Sequence, residues 1–264
     1  MRILWMTDLH LDFVSAAQVS EFLAQAAAQR PDAVLVGGDM GQSHNFDLYL
    51  AEMADAFSCP VYFVLGNHDF YGSSIAAVRA RAAALANGSK LGWLTRAGIV
   101  KLSAHTGLIG HDGWADGRLG SYATSSVMLN DYVLIEELAR LDPAARLKVL
   151  NRLGDEAAAH LGRVLPAALA RFGHVILLTH APPFRAACWH EGRISNEEWL
   201  PHMTCQAVGE VLTMIMRQHP QKQLTVLCGH THSSGEARPL KNVRVLTGGA
   251  VYGSPAVTQI LELV

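Results

Sequence analysis

The sequence predicts an α/β fold on three observations: short apolar runs that end in turn residues, Ala-rich stretches of helical spacing between the early runs, and their strict alternation. Strand, helix, strand in that order implies βαβ units and at least one largely parallel sheet. Residues 3–6, 33–36, 61–65, 175–178 and 224–227 read as buried strands. Residues 15–29 and 74–86 read as helices, with Ser15 and Ser74 placed to cap them. Residues 99–102 and 106–110 suit the two arms of a hairpin, and 133–172 reads as helical but broken at Pro143, Gly154, Gly162 and Pro166. That segment is expected to be a helical insertion at about 112–172. Residues 182–205, rich in Trp, His, Arg and Glu without periodicity, predict a long functional loop. Strands at 243–247 and 257–261 close the chain. No repeat or linker divides it, so residues 1–264 are expected to form one domain.

Composition narrows the function. Half of the 264 residues are hydrophobic and 17% are charged, which excludes a disordered chain. The net charge of -2 gives no basic footprint and argues against a dedicated nucleic-acid binder, while a small anionic substrate stays compatible. Cys59, Cys188, Cys205 and Cys228 are too scattered for a zinc knuckle or a redox pair and are expected to be reduced, partly buried thiols. Asp8 and His10 come too early for a signal peptide, and no apolar stretch approaches the roughly 18 residues of a membrane span. A cytoplasmic location without membrane contact is the expectation.

The most informative feature is positional. Each of the five buried runs leads at once into polar residues able to bind metal: Thr7-Asp8-Leu9-His10, Gly37-Gly38-Asp39, Gly66-Asn67-His68-Asp69, Thr179-His180, and Gly229-His230-Thr231-His232. In open α/β sheets, sites form beyond the carboxyl ends of the strands, so five such ends can converge. Imidazole nitrogens mixed with carboxylate and amide oxygens suit Mn, Fe, Zn or Ni better than Ca. The seven donors Asp8, His10, Asp39, Asn67, His180, His230 and His232 exceed one tetrahedral site. Two divalent ions that share a carboxylate would use them all, and Asp39, in the middle of the set, is the natural bridge. The donors of Asp8-x-His10 and His230-x-His232 stand two apart, which in extended backbone directs both to one side. Glycines at 37, 38, 66 and 229 would permit the sharp turns and close backbone approach.

Asp8-x-His10, Gly38-Asp39, Gly66-Asn67-His68-Asp69, His180 and Gly229-His230-x-His232, in that order, resemble the five-block signature of the calcineurin-like metallophosphoesterase superfamily. The blocks run from residue 8 to residue 232. The resemblance implies a four-layer αββα sandwich of two mixed sheets, and a metal-dependent phosphoesterase acting on small phosphomonoesters or phosphodiesters. One ion would be held by Asp8, His10, Asp39 and His232, the other by Asp39, Asn67, His180 and His230. The nucleophile would be a hydroxide bridging the ions, attacking in line. His68 would face the scissile phosphate as the catalytic acid, oriented by Asp69. Cyclic-nucleotide phosphodiesterases, phosphatases and nucleases share the block order, and some relatives are scaffolds that keep the fold without catalysis; such proteins commonly lose ligands, and none is missing here.

Substrate contacts are expected from His111 and Asp112, which follow another strand; Arg118 could pair with a phosphate, though it suits the surface better. His190, Arg193, Trp199 and His202 could form a rim or lid. After the last block many relatives carry an Asn-Pro-Gly-Ser-like stretch, whereas this chain reads Thr247-Gly248-Gly249-Ala250 before Tyr252-Gly253-Ser254-Pro255.

Overall fold

The computed structural model describes residues 1–263. Its first sheet joins β1 (Arg2–Met6), β2 (Ala33–Val36), β3 (Val61–Phe63) and β4 (Leu91–Trp93) in parallel. The second is built on β6 (Thr106–His111), β7 (His174–Thr179), β10 (Gln223–Cys228) and β12 (Val243–Thr247), also parallel, in the order β12-β10-β7-β6. Antiparallel strands edge both: β13 (Gln259–Glu262) beside β1, β5 (Val100–Lys101) beside β6, and β11 (Gly235–Leu240) beside β12. Both sheets are therefore mixed. A separate small hairpin pairs β8 (Trp189–His190) with β9 (Arg193–Ile194) inside the loop after β7.

Side-chain alternation along the strands sorts the core into layers. Ile3 and Trp5 of β1 meet Leu35, Leu108, Ile176, Leu178 and Leu227 between the two sheets. Leu4 and Met6 point the other way, into a cluster with α1 (Ala16–Ala27), α2 (Phe46–Ala56) and α3 (Ile75–Leu85), where Leu23, Leu50 and Val78 are buried. The outer face of the second sheet, with Val175, Leu177 and Val226, is covered by Leu161, Leu165 and Leu169 of α6 (Pro143–Arg171) and by Leu212 and Met216 of α8 (Gln206–Gln218). The result is the αββα sandwich. Three short helices, α4 (Leu94–Ala97), α5 (Asp131–Leu134) and α7 (Leu200–Met203), complete the set. Among the described residues no helix is long and apolar enough to cross a membrane.

Local chemistry fixes several boundaries as expected. Ser15 and Gln18 form a reciprocal capping box at the start of α1, and the Ser74 hydroxyl accepts from the Ala77 N–H at the start of α3. The segment read as a broken insertion is different. Pro143 is the first residue of α6 and Asp142 caps it, so that proline begins a helix rather than ending one. The helix then runs unbroken through Gly154, Gly162 and Pro166 for 29 residues. Packing of its apolar face against the second sheet outweighs the local preference for a break. Much of the expected insertion is thus an outer layer of the sandwich, and only residues 112–142 wander. The helices α2 and α8 and the strands β4 and β11 carried no sequence signal strong enough to predict.

Candidate metal centre

The loops leaving β1, β2 and β3 of one sheet and β7 and β10 of the other meet at one end of the sandwich, and backbone bonds tie them together. Asp8 N–H donates to Gly38 O at 3.0 Å, His10 N–H to Asp39 O at 2.9 Å, and Gly229 N–H to His180 O at 2.9 Å. All seven expected donors are brought together. Asp8, His10, Asp39, Asn67 and His180 are buried; His230 and His232 are half-buried and open onto a cavity.

The backbone that delivers them is not extended. Of the eight non-glycine residues with positive φ among the described residues, five are candidate ligands: Asp8 (52°), His10 (43°), Asp39 (53°), His230 (70°) and His232 (56°). Left-handed backbone is unfavourable for such side chains and persists only where the surroundings dictate it, commonly at functional sites. The two-residue spacing therefore works through paired left-handed turns, not through the pleat of a strand. Close approach does the rest: a Cβ on Gly66 would lie 2.2 Å from Asp39 Oδ1, and one on Gly229 would lie 1.9 Å from Asp8 Oδ2.

Asp8, His10, Asp39 and His232 form one group whose donor atoms all lie within 4.8 Å of one another. His10 Nε2 is 3.0 Å from His232 Nε2, and Asp8 Oδ1 is 3.5 Å from His232 Nε2. Asp39 Oδ2 lies 3.8 Å from His10 Nε2 on one side and 3.4 Å from His180 Nε2 on the other. Its second oxygen, Oδ1, accepts the His68 N–H at 2.9 Å, which fixes the carboxylate's rotation and leaves Oδ2 between the two groups.

In the second group the hydrogen bonds assign which atoms are donors. His180 Nδ1 faces the Gly37 carbonyl at 2.8 Å and His230 Nε2 faces the His202 carbonyl at 3.0 Å. A carbonyl only accepts, so both nitrogens carry protons and the opposite ring nitrogens point inward. Both meet Asn67 Oδ1, at 3.0 Å from His180 Nε2 and 2.9 Å from His230 Nδ1. The amide is held that way round because Asn67 Nδ2 donates to Asp131 Oδ1 at 2.8 Å and to the Tyr71 hydroxyl at 3.2 Å. With neutral rings, two nitrogen lone pairs and an amide oxygen would converge with no proton among them. A cation resolves that conflict, and so the donor set fits one.

Without a cation the proton must serve. Burial alone would depress His180, but the Asp39 and Asp8 carboxylates and the Gly37 carbonyl together outweigh it and raise the imidazole to about 10. Burial would raise Asp39 in turn, yet His180 and His68 hold it well below the usual carboxylate range. His10 goes the other way, pushed down to about 4 by burial against the pull of Asp39.

His68 opens onto the cavity next to the first group, its ring 4.6 Å from that of His10 and 4.3 Å from that of Tyr71. Asp69 does not orient it. The Asp69 carboxylate accepts from the backbone N–H groups of Asp39, Met40, Gly41 and Gly66, and so braces the β2 and β3 loops against each other. Asp69 lies within a short 3-10 turn, His68–Phe70, and is fully buried there.

The expected substrate contacts lie elsewhere. Asp112 is fully buried and accepts from the Leu65 N–H, Trp93 Nε1 and Thr95 Oγ1, so it ties the β3 end to β4 and β6. His111 is buried against His160 and accepts from the Gly113 N–H. Arg118 is paired with Asp116 at 3.0 Å and Asp155 at 2.7 Å. None of the three lines the cavity beside the ligands. That cavity, about 430 Å³, is lined instead by residues with no motif signal, among them Tyr71, Met128, Leu129, Asp131, Met203 and Tyr252. Of the loop after β7, His190 reaches it, and His202 serves through its carbonyl on His230. The sequence carried no pattern marking Asp131, and it marked Tyr252 only as part of the departure from the stretch many relatives carry after the last block; the fold brings both here.

A family model described as calcineurin-like phosphoesterase matches residues 1–234. The chain is 38% identical over 82 residues to a probable cyclic nucleotide phosphodiesterase of Pseudoalteromonas sp. (strain SM9913), an alignment spanning 26% of this chain and 31% of that protein. Among solved structures, a phosphopantetheinyl hydrolase from Mycobacterium tuberculosis superposes with a TM-score of 0.68 at 15% identity, covering 94% of this chain and 89% of the other. A dimetal phosphatase from Danio rerio superposes with a TM-score of 0.61 at 16% identity, covering 97% and 89%. At those identities the superpositions speak for the fold.

Proposed function

From the premise that this chain belongs to the calcineurin-like phosphoesterase family, we propose that it is a hydrolase cleaving small phosphate esters with two divalent ions. Asp8, His10, Asp39 and His232 hold one ion; Asp39, Asn67, His180 and His230 hold the other. The observation that carries the reading is the position of Asp39 Oδ2, between His10 and His180, where one oxygen serves both groups. The His, carboxylate and amide mixture suits Mn, Fe, Zn or Ni. When bound, such a pair lowers the pKa of water toward neutrality and neutralises phosphate oxygens.

The chain's own residues supply the remaining requirements. Gly37 and His202 carbonyls fix the proton positions on His180 and His230, so the inward nitrogens are ready without reorganisation. Asp69 locks the Asp39 and Gly66 turns, and through them the bridge. His68, beside the first group and open to the cavity, stands where it can donate a proton to the departing ester oxygen. Metal analysis of the purified protein, with turnover of a chromogenic phosphate ester before and after chelation, tests the assignment. Two ions per chain and chelator-sensitive hydrolysis are expected; bound metal with no hydrolysis of any phosphate ester would instead favour a non-catalytic scaffold.

A further inference from the structure

Resting on that reading, we infer that the site takes phosphodiesters bearing two apolar or aromatic arms, and discriminates against phosphomonoesters. Two features of the cavity walls carry this. The first is charge. Among the described residues, no lysine or arginine lines the main cavity, nor the two that share His232 or Asn67 with it. Around its walls the arginines are engaged elsewhere: Arg193 meets Glu191 at the rim, Arg118 is paired with Asp116 and Asp155, and Arg146, whose Nη1 reaches Met128 Sδ at 3.7 Å, donates to the Leu141 carbonyl and lies over the Tyr132 ring. The wall also holds a buried carboxylate, Asp131. A monoester near pH 7 carries close to two negative charges and a diester one. With no cationic side chain to receive the second charge, the site favours the monoanion.

The second feature is where the apolar surface lies. Tyr252 stands at the end marked by the first group, its ring 4.5 Å from that of His10 and 5.0 Å from that of His232, and stacked at 4.7 Å on Phe13. Phe13, Tyr252 and the adjoining Val251 are exposed by 53%, 46% and 70%. Met128, exposed by 62%, stands with the half-buried Leu129 and the buried Met203 at the end marked by Asn67 and His230. Large apolar side chains left in water around a polar centre mark a binding surface. Two such walls, one at each end of the ligand set, match a phosphorus with an organic arm on either side. In the reaction water adds to phosphorus and one P–O bond breaks; that oxygen leaves with the electron pair and a proton, giving an alcohol or phenol and a monoester.

The Mn-loaded protein is assayed on bis(p-nitrophenyl) phosphate, methyl p-nitrophenyl phosphate and p-nitrophenyl phosphate, which share one leaving group. Calorimetry on the same protein compares diphenyl, dimethyl and phenyl phosphate as ligands. The bis-aryl diester should exceed the monoester in kcat/KM by about tenfold or more, and the methyl diester should fall between. Diphenyl phosphate should bind more tightly than phenyl phosphate. Met128→Ala, at an exposed position, should weaken diphenyl phosphate several-fold and leave dimethyl phosphate unchanged. A monoester turned over or bound as well as the diester, or a Met128→Ala variant that keeps full diphenyl phosphate affinity, overturns the inference while leaving the phosphoesterase reading intact. No turnover of any of the three esters by protein holding both metals removes that reading itself.

Discussion

Asn67 donates from Nδ2 to Asp131 Oδ1 at 2.8 Å, and this bond decides which end of the amide faces His180 and His230. Tyr71 donates to the same carboxylate oxygen at 2.7 Å, so Asp131 anchors the amide from within a shared network. In Asp131→Ala the amide is free to turn its NH2 toward the histidines. Loss of such an orienting partner lowers metal affinity by about 10- to 100-fold. Metal titration should show one of the two ions weakened and the other retained; unchanged affinity for both would remove Asp131 from the account.

His68→Ala should leave two metals bound, because the hydrogen bond His68 makes to a candidate ligand runs through its backbone N–H. Turnover should fall by about 10²- to 10⁴-fold on esters of poorly activated alcohols and by less on p-nitrophenyl esters, whose leaving oxygen needs little help from an acid. Equal losses on both kinds of ester, or loss of metal, would contradict the role given to the side chain.

Gly66→Ala places a methyl group 2.2 Å from Asp39 Oδ1 and 2.6 Å from the Asp39 nitrogen, where neither neighbour is a flexible chain end. The bridge must move, and a shift of about 1 Å in such a site costs on the order of 100-fold in rate. Gly173→Ala, with open space around its Cβ, is the matched control and should bind metal normally. Circular dichroism separates local displacement from unfolding; wild-type metal content in Gly66→Ala would refute the packing argument.

Metal binding should release protons. Burial lowers His180, but Asp39, Asp8 and the Gly37 carbonyl together raise it to about 10, whereas the unfolded value is 6.5. In the metal-free protein the charged imidazole therefore contributes stability that is fully present below pH 6.5 and is lost as pH rises through about 10. A metal needs the neutral ring, so between those values it must displace the proton. Apparent affinity should strengthen by up to about tenfold per pH unit from this group. Calorimetric titration in buffers of different ionisation enthalpy counts the protons; a constant affinity between about pH 7 and about pH 9 would contradict the assignment.

The parts of the site legible in the sequence are those where a buried strand runs straight into its ligands. Met6 to Asp8, Val36 to Asp39 and Cys228 to His230 needed only hydrophobic runs and donor chemistry. Features decided by tertiary contact were not legible. Asp131 lies in an aperiodic stretch and matters only because Asn67 comes to it across the fold. Asp112 and Asp69 looked like site residues by position, yet the first serves three donors in the strand ends and the second four loop amides. The breakers in α6 misled for a related reason: local propensity is weak beside an apolar face packed on a sheet.

The proposed centre depends on one carboxylate oxygen, Asp39 Oδ2, shared by two ions. A crystal structure of the protein grown with Mn, with anomalous scattering used to place the metal, tests it most directly. Two anomalous peaks roughly 3.5–4 Å apart, with Asp39 Oδ2 bound to both and Asn67 on the ion farther from His10, are the predicted result. A single ion held by Asp8, His10 and His232 with Asn67 unbound, or metal bound outside this end of the sandwich, would contradict it.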